Sequence, residues 1–192
     1  MAVQNQITSL TLEKAKRDRE LRNLKSTPGS PEFSIPKSAV DGDTRPNQID
    51  LAAKAQQLFL DAREEWFEAG MDSPFSIGVE RMILEFGSLA VDQIGTLVFS
   101  RQTPDHVAAE AAKTMGNIDH PSSSEARRVS LEKALCSESH HVRDAAGLGL
   151  DSMNDPLAVP ALSRAIEIER FPSLKADLQA VLKHLMPDAG AS

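Results

Sequence analysis

The chain has 192 residues, which is enough for one ordinary domain or for one small domain with a tail. Apolar residues make up 41% of it, which makes a packed core possible and excludes a wholly disordered chain. The formal charge is −7: residues 1–48 carry 8 basic and 6 acidic side chains, and residues 49–192 carry 13 and 22. The body is therefore −9 and the leader +2. An acidic body repels phosphate, which argues against nucleic-acid binding by the folded part.

Aromatic residues reach only 4%, with one Trp, seven Phe and no Tyr. A core built from Leu, Ile, Val, Ala and Met suits close-packed helices better than a β-sandwich. It also leaves few rings for stacking single-stranded bases. The lone cysteine, Cys136, allows no intrachain disulfide and no multi-thiolate metal site, and fits a reducing cytoplasm. Residues 1–10 lack the basic and apolar pattern of a signal peptide, and no apolar run reaches the length of a membrane span.

Residues 7–25 read as a short charged segment with helical potential. Ile7, Leu10, Leu21 and Leu24 give it a thin apolar stripe among Lys14, Lys16, Arg17, Arg19 and Arg22. So few apolar residues suit a solvated tail, and the same stripe suits a helix that docks on an acidic or apolar partner surface. Residues 26–48, with Pro28, Gly29, Pro31, Pro36, Gly42 and Pro46, read as a linker.

The spacing predicts a capping helix over 49–69, started by Asn47 or Asp50 and stopped by Gly70. Leu51, Ala55, Leu58, Phe59, Ala62 and Trp66 recur at three- and four-residue steps and form one buried stripe. On that spacing Trp66 belongs to the core rather than to a binding surface. From Pro74 onward short helical patterns follow one another, and none alternates with period two. They are punctuated by Thr103-Pro104-Asp105, Asp119-His120-Pro121, Asn154-Asp155-Pro156 and Phe171-Pro172-Ser173.

The punctuation repeats. Residues 87–98 align with 155–166 at an offset of 68, with apolar positions coinciding. Residues 107–121 align with 142–156 at an offset of 35, and 174–185 with 142–153 at an offset of 32. One helical hairpin per unit, stacked into a solenoid, explains such offsets. The units fall near 75–102, 103–137 and 138–169, with a terminal helix at 172–186. Ser122-Ser123-Ser124 replaces the Leu-Ala-Val of the third unit, which places the turn of the second unit in question. Ala145, Ala146, Gly147 and Gly149 allow helices to approach closely, at a helix-propensity cost of about 1 kcal/mol per glycine.

The string Val142-Arg143-Asp144-Ala145-Ala146, followed by Asn154-Asp155-Pro156-Leu157-Ala158-Val159-Pro160-Ala161-Leu162, resembles a HEAT repeat. It is most similar to the short bacterial type found in phycobilisome lyase subunits. The resemblance covers residues 75–186. It implies an all-α fold, a short right-handed α-solenoid of stacked hairpins.

Catalytic sets are hard to assemble from this sequence. Cys136 precedes His140 by four residues, but a helix end falls between them, and the thiol reads as a small, at least half-buried apolar group. His120, His140 and His141 lack a fixed ligand spacing and read as solvated turn residues. Asp61, Glu64 and Glu65 form a charged helix face. Asp151, Asn154 and Asp155 read as turn and cap residues. Gly147-Leu148-Gly149 lacks the strand and third glycine of a phosphate loop. No cofactor is expected.

Solenoids without a catalytic set bind macromolecules on an extended surface. The resemblance implies that the second helix of each hairpin lines it. The apolar register turns Asp92, Gln93 and Thr96 outward on the first unit. It turns Arg127, Arg128 and Lys133 outward on the second, and Ser163, Arg164 and Glu167 on the third. The expected function is a non-catalytic adaptor for a protein partner with a basic surface. The resemblance also implies an alternative, a subunit or chaperone of a bilin-attachment enzyme. A neutraliser of a basic toxin or effector is a special case of the adaptor.

Overall fold

The structure is a computed structural model that describes residues 48–68 and 70–186. The charged segment at 7–25, the linker and the capping Asn47 lie outside the described residues. Eight α-helices and no strand occur among the described residues. They are α1 (Gln48–Asp61), α2 (Pro74–Phe86), α3 (Ser88–Val98), α4 (Asp105–Asn117), α5 (Ser124–Ala134), α6 (His140–Met153), α7 (Val159–Ile168) and α8 (Pro172–Leu185). No helix among them is long and apolar enough to cross a membrane.

Local chemistry sets the boundaries. Ser73 opens α2 with a reciprocal cap: the Ser76 backbone N–H donates to the Ser73 hydroxyl at 3.0 Å, and the Ser73 N–H to the Ser76 hydroxyl at 2.8 Å. Pro74 supplies the helical φ in the first turn. Gly87 then joins α2 to α3 alone, at φ 59° and ψ −132°, a conformation only glycine adopts without strain. Asn154 ends α6 in the left-handed region at φ 48°.

Two junctions have the same local form. Pro121–Ser123 and Pro156–Ala158 are both single 3-10 turns, and each leads directly into the next helix. They stand 35 residues apart, the offset read from the sequence. In the third unit the Asp155 carboxylate accepts from Leu157 N–H at 3.0 Å. In the second, His120 Nδ1 and the Ser123 hydroxyl are 2.9 Å apart. The serine run therefore keeps the turn, with a hydrogen bond between His120 and Ser123 at its start.

Most helices pack with their sequence neighbours and with the helix two further on. Contacts join α2 to α4, α4 to α6 and α6 to α8; they also join α1 to α3 and α3 to α5. Two rows of helices result, one of α2, α4, α6 and α8, the other containing α1, α3 and α5. Buried aliphatic residues run through both, from Leu51, Val79 and Ile83 to Leu162, Leu178 and Leu185. Full burial of one such side chain stabilises by about 1.5–3 kcal/mol, so the apolar stripes, rather than propensity, hold the helices in place.

The α4–α6 crossing is the closest approach. A Cβ added to Gly116 would stand 2.2 Å from Gly149 Cα, so the two backbones are in direct contact. Ala112, Ala145 and Ala146 extend the small-residue seam. One buried ion pair ties α6 to the α7–α8 turn. Arg143 Nε donates to Glu169 Oε2 at 2.7 Å and Nη2 to Oε1 at 3.0 Å. Oε1 also accepts from the backbone N–H groups of Arg170 and Phe171. These bonds hold the Glu169 pKa down at about 2, from an ordinary 4.5.

The capping helix is shorter than the predicted 49–69. It stops at Asp61, passes through one 3-10 turn at Ala62–Glu64, and the chain then becomes extended. Leu51, Ala55, Phe59 and Ala62 are buried as the stripe predicted, but Trp66 is not. Phe67 packs on Phe75 and His106, with ring centroids 5.6 and 5.8 Å away. In an extended segment neighbours face opposite ways, so Trp66 is turned out and is 92% exposed. Its expected place in the core is corrected on that ground.

Candidate functional site

The nine residues expected on a partner-binding surface divide into three groups. Asp92 and Thr96 on α3 and Lys133 on α5 line one groove between those helices. Gly95 and Ser130 meet at its floor, where a Cβ on Gly95 would stand 2.9 Å from the Ser130 hydroxyl. That hydroxyl is buried and has no hydrogen-bond partner among the described residues. The groove holds about 590 Å³, and Phe99 and Val129 add apolar walls. Small Gly95 lets α5 approach α3 closely at this point.

A second group stands apart from that groove. Gln93 is half-buried on α3. Ser163 on α7 is half-buried and donates to the Val159 carbonyl at 2.9 Å. Arg164 and Glu167 on α7 are exposed and line none of this groove.

The third group corrects the sequence expectation. Arg127 does not face outward: it is 3% exposed. Its Nη1 donates to the Met115 carbonyl at 2.7 Å and its Nε to the Ser123 hydroxyl at 3.2 Å. Burial lowers its pKa, an effect Asp119 opposes. Arg127 is thus a strut that saturates the end of α4, where helix carbonyls lack intrahelical partners. Arg128 is half-buried and paired with Glu132, and its Nε lies 3.0 Å from Asp155 Oδ2. It fastens α5 to the turn before α7. The repeat offset itself carried the signal for Arg127, since it places this residue on Leu162, which is buried.

A second groove lies on the other row, between α4, α6 and the segment 63–67. It holds about 620 Å³. Trp66 and Leu148 stand at its edges, and Ala109 and Ala145 lie lower down. Glu64, Glu65, Glu110, Asp144, Arg63, Lys113, His106 and His141 supply its polar rim. Lys113 is spent on Glu110 at 3.4 Å, and Arg63 Nη2 donates to the Gln102 carbonyl at 2.9 Å. The Asp144 pKa is raised, first by burial and then by Asp177, against weaker opposition from His141 and His140.

The sequence's other chemical candidates are separated or engaged. Cys136 is exposed in the connection after α5, not half-buried as expected, because α5 ends before it. His140 and His141 are exposed at the start of α6, their rings 4.0 Å apart, and His140 stacks on Phe171 at 5.0 Å. Among the described residues no cluster of His, Cys, Asp or Glu is placed to hold a metal ion. Compared with known proteins, the chain matches no family model, no curated protein and no solved structure.

Proposed function

We propose that the chain is a non-catalytic protein-binding adaptor, built as a short right-handed α-solenoid of the HEAT-like kind. The observation that supports this reading is the serial packing of alternate helices, α2 on α4 on α6 on α8, at the same spacing as the sequence repeat. In such a stack no unit closes a cavity of its own, and binding falls to grooves between neighbours. The groove between α3 and α5 gathers Asp92, Thr96 and Lys133 from two successive units. The body of −9 favours a partner with a basic surface, steered by long-range attraction.

Affinity capture with the full chain as bait tests the reading. The informative variant is Asp92→Lys with Lys133→Glu, because both side chains are exposed. A partner recovered by the wild-type chain is expected to fall by about tenfold or more with this variant, the loss a central contact gives. Its association should slow as salt rises through the range where the Debye length drops below about 10 Å. Equal recovery by both baits removes the α3–α5 groove, and no saturable partner at any bait concentration removes the adaptor. Replacing Arg127 or Arg128 would test folding instead, since both are built into helix junctions.

A further inference from the structure

We propose that the groove between α4, α6 and residues 63–67 is a second docking site, and that its occupant is a basic amphipathic segment of a partner protein with an apolar anchor. The site is lined by different helices from the α3–α5 groove and stands without it.

The first observation is Trp66. It is the only tryptophan of the chain and the most exposed large apolar residue among the described residues. Covering a side chain of this size removes about 150–250 Å² from water, the largest single apolar gain open to any exposed residue here. Its backbone is held in place by the next residue. Phe67, its neighbour, is packed on Phe75 and His106, so Trp66 is held at the groove edge by an adjacent anchor. Leu148 faces it from α6 and is also half exposed. Tryptophan is among the residues that most often carry the energy of a protein–protein contact once a partner covers them.

The second observation is charge. The groove's cations are already engaged, Lys113 by Glu110 and Arg63 by a backbone carbonyl. Among the described residues, Glu64 and Asp144 have no cation within ion-pair distance. Beyond Asp144 the surface continues to Asp151 and Asp177 along α6 and α8. Burial first, and Asp177 second, disfavour the charged form of Asp144, and an arriving ammonium or guanidinium group favours that form. An apolar strip flanked by unpaired carboxylates matches a helix with Leu-type anchors on one face and Lys or Arg beside them. Phosphate-bearing ligands are repelled by the same carboxylates.

Trp66 supplies its own assay. The probe is a synthetic peptide with Leu at helical spacing and Lys elsewhere, titrated into the full chain while Trp66 emission is followed. A saturable move to shorter wavelength is expected, and a matched peptide with Glu for Lys should give none. Glu64→Lys with Asp144→Lys should weaken binding about tenfold or more, and Trp66→Ala, followed by calorimetry, about 30-fold. These side chains are exposed, so circular dichroism melts of the variants should overlay the wild type. The Asp92→Lys, Lys133→Glu variant should bind the peptide as the wild type does, which separates this site from the adaptor groove. No emission change, or an equal change with the Glu peptide, overturns the proposal. So does an already buried emission that shifts only on dilution, with a dimer in sedimentation, because the occupant would then be a second copy.

Discussion

Gly116→Ala tests whether the α4–α6 crossing holds the helices together. In the wild type the added Cβ would stand 2.2 Å from Gly149 Cα, 2.4 Å from its carbonyl oxygen and 2.6 Å from its carbonyl carbon. Ordinary contact begins near 3.4 Å, so the helices must part by more than 1 Å. A gap of about 0.5–1 Å forfeits a quarter to a half of each dispersion contact along the seam, including those of Ala112, Ala145 and Ala146. Overpacking costs about 1–3 kcal/mol where side chains can move aside. Here the obstacle is backbone, so the cost belongs at or above the top of that range. Alanine returns about 1 kcal/mol of helix propensity, leaving a net loss of about 2–3 kcal/mol. Thermal unfolding followed at 222 nm should show a midpoint roughly 8 °C lower. Gly78→Ala is the control, because its nearest obstacle is the terminal methyl of Leu58 at 2.6 Å, a half-buried side chain that can turn. Its net effect should stay within about 1 kcal/mol. If Gly116→Ala melts no lower than Gly78→Ala, the close crossing contributes nothing and the reasoning fails.

Two further perturbations probe the buried charges. Arg127→Ala should destabilise by about 2–4 kcal/mol in urea titrations, because it orphans the Met115 carbonyl and leaves a cavity, while Arg164→Ala on the exposed side of α7 should change little. Equal effects would refute the strut. Glu169→Gln should lower stability at neutral pH by about 1.5–3 kcal/mol. Since the folded pKa lies near 2 and the ordinary value is 4.5, the Glu169 contribution is complete above pH 4.5 and is lost as pH falls toward 2. The wild-type and variant urea midpoints should therefore converge on acidification. Asp144 works in the opposite direction in both proteins and cancels in the comparison. A difference that stays constant with pH would place the effect in packing rather than in the carboxylate.

Helix content and helix order were readable because both are local. Pro74, Pro121, Pro156 and Pro172 each stand in the first turn of a helix or 3-10 turn, where φ is preset and no hydrogen bond is lost. Gly149 was readable as a packing residue because a glycine inside a helix needs a reason, and the reason is Gly116 across the seam. Arg127 was misread because residue type was set against position. The apolar register turned it outward, the offset of 35 would have set it on buried Leu162, and three acceptors, the carbonyls of Met115 and His120 and the Ser123 hydroxyl, hold it inside. Those acceptors belong to a helix end and a serine turn whose geometry exists only after folding.

The grooves were illegible for a different reason. Asp92 and Lys133 are 41 residues apart, and Trp66 and Leu148 are 82 apart. Nothing in either neighbourhood marks the other. Periodicity placed Trp66 on the buried stripe of α1, and it would have been correct had the helix continued. Of the two adjacent aromatics that follow the helix, one occupies the place against Phe75. Phe67 takes it, at 5.6 Å, and also meets His106 from the next hairpin. The backbone extends after Glu64, and extension turns residue 66 away from residue 67. The exposed tryptophan is thus a consequence of core packing one residue further on. That same step carries it beside Glu64 and onto the face where α6 presents Asp144, and so joins the chain's one tryptophan to two carboxylates that have no cation partner among the described residues.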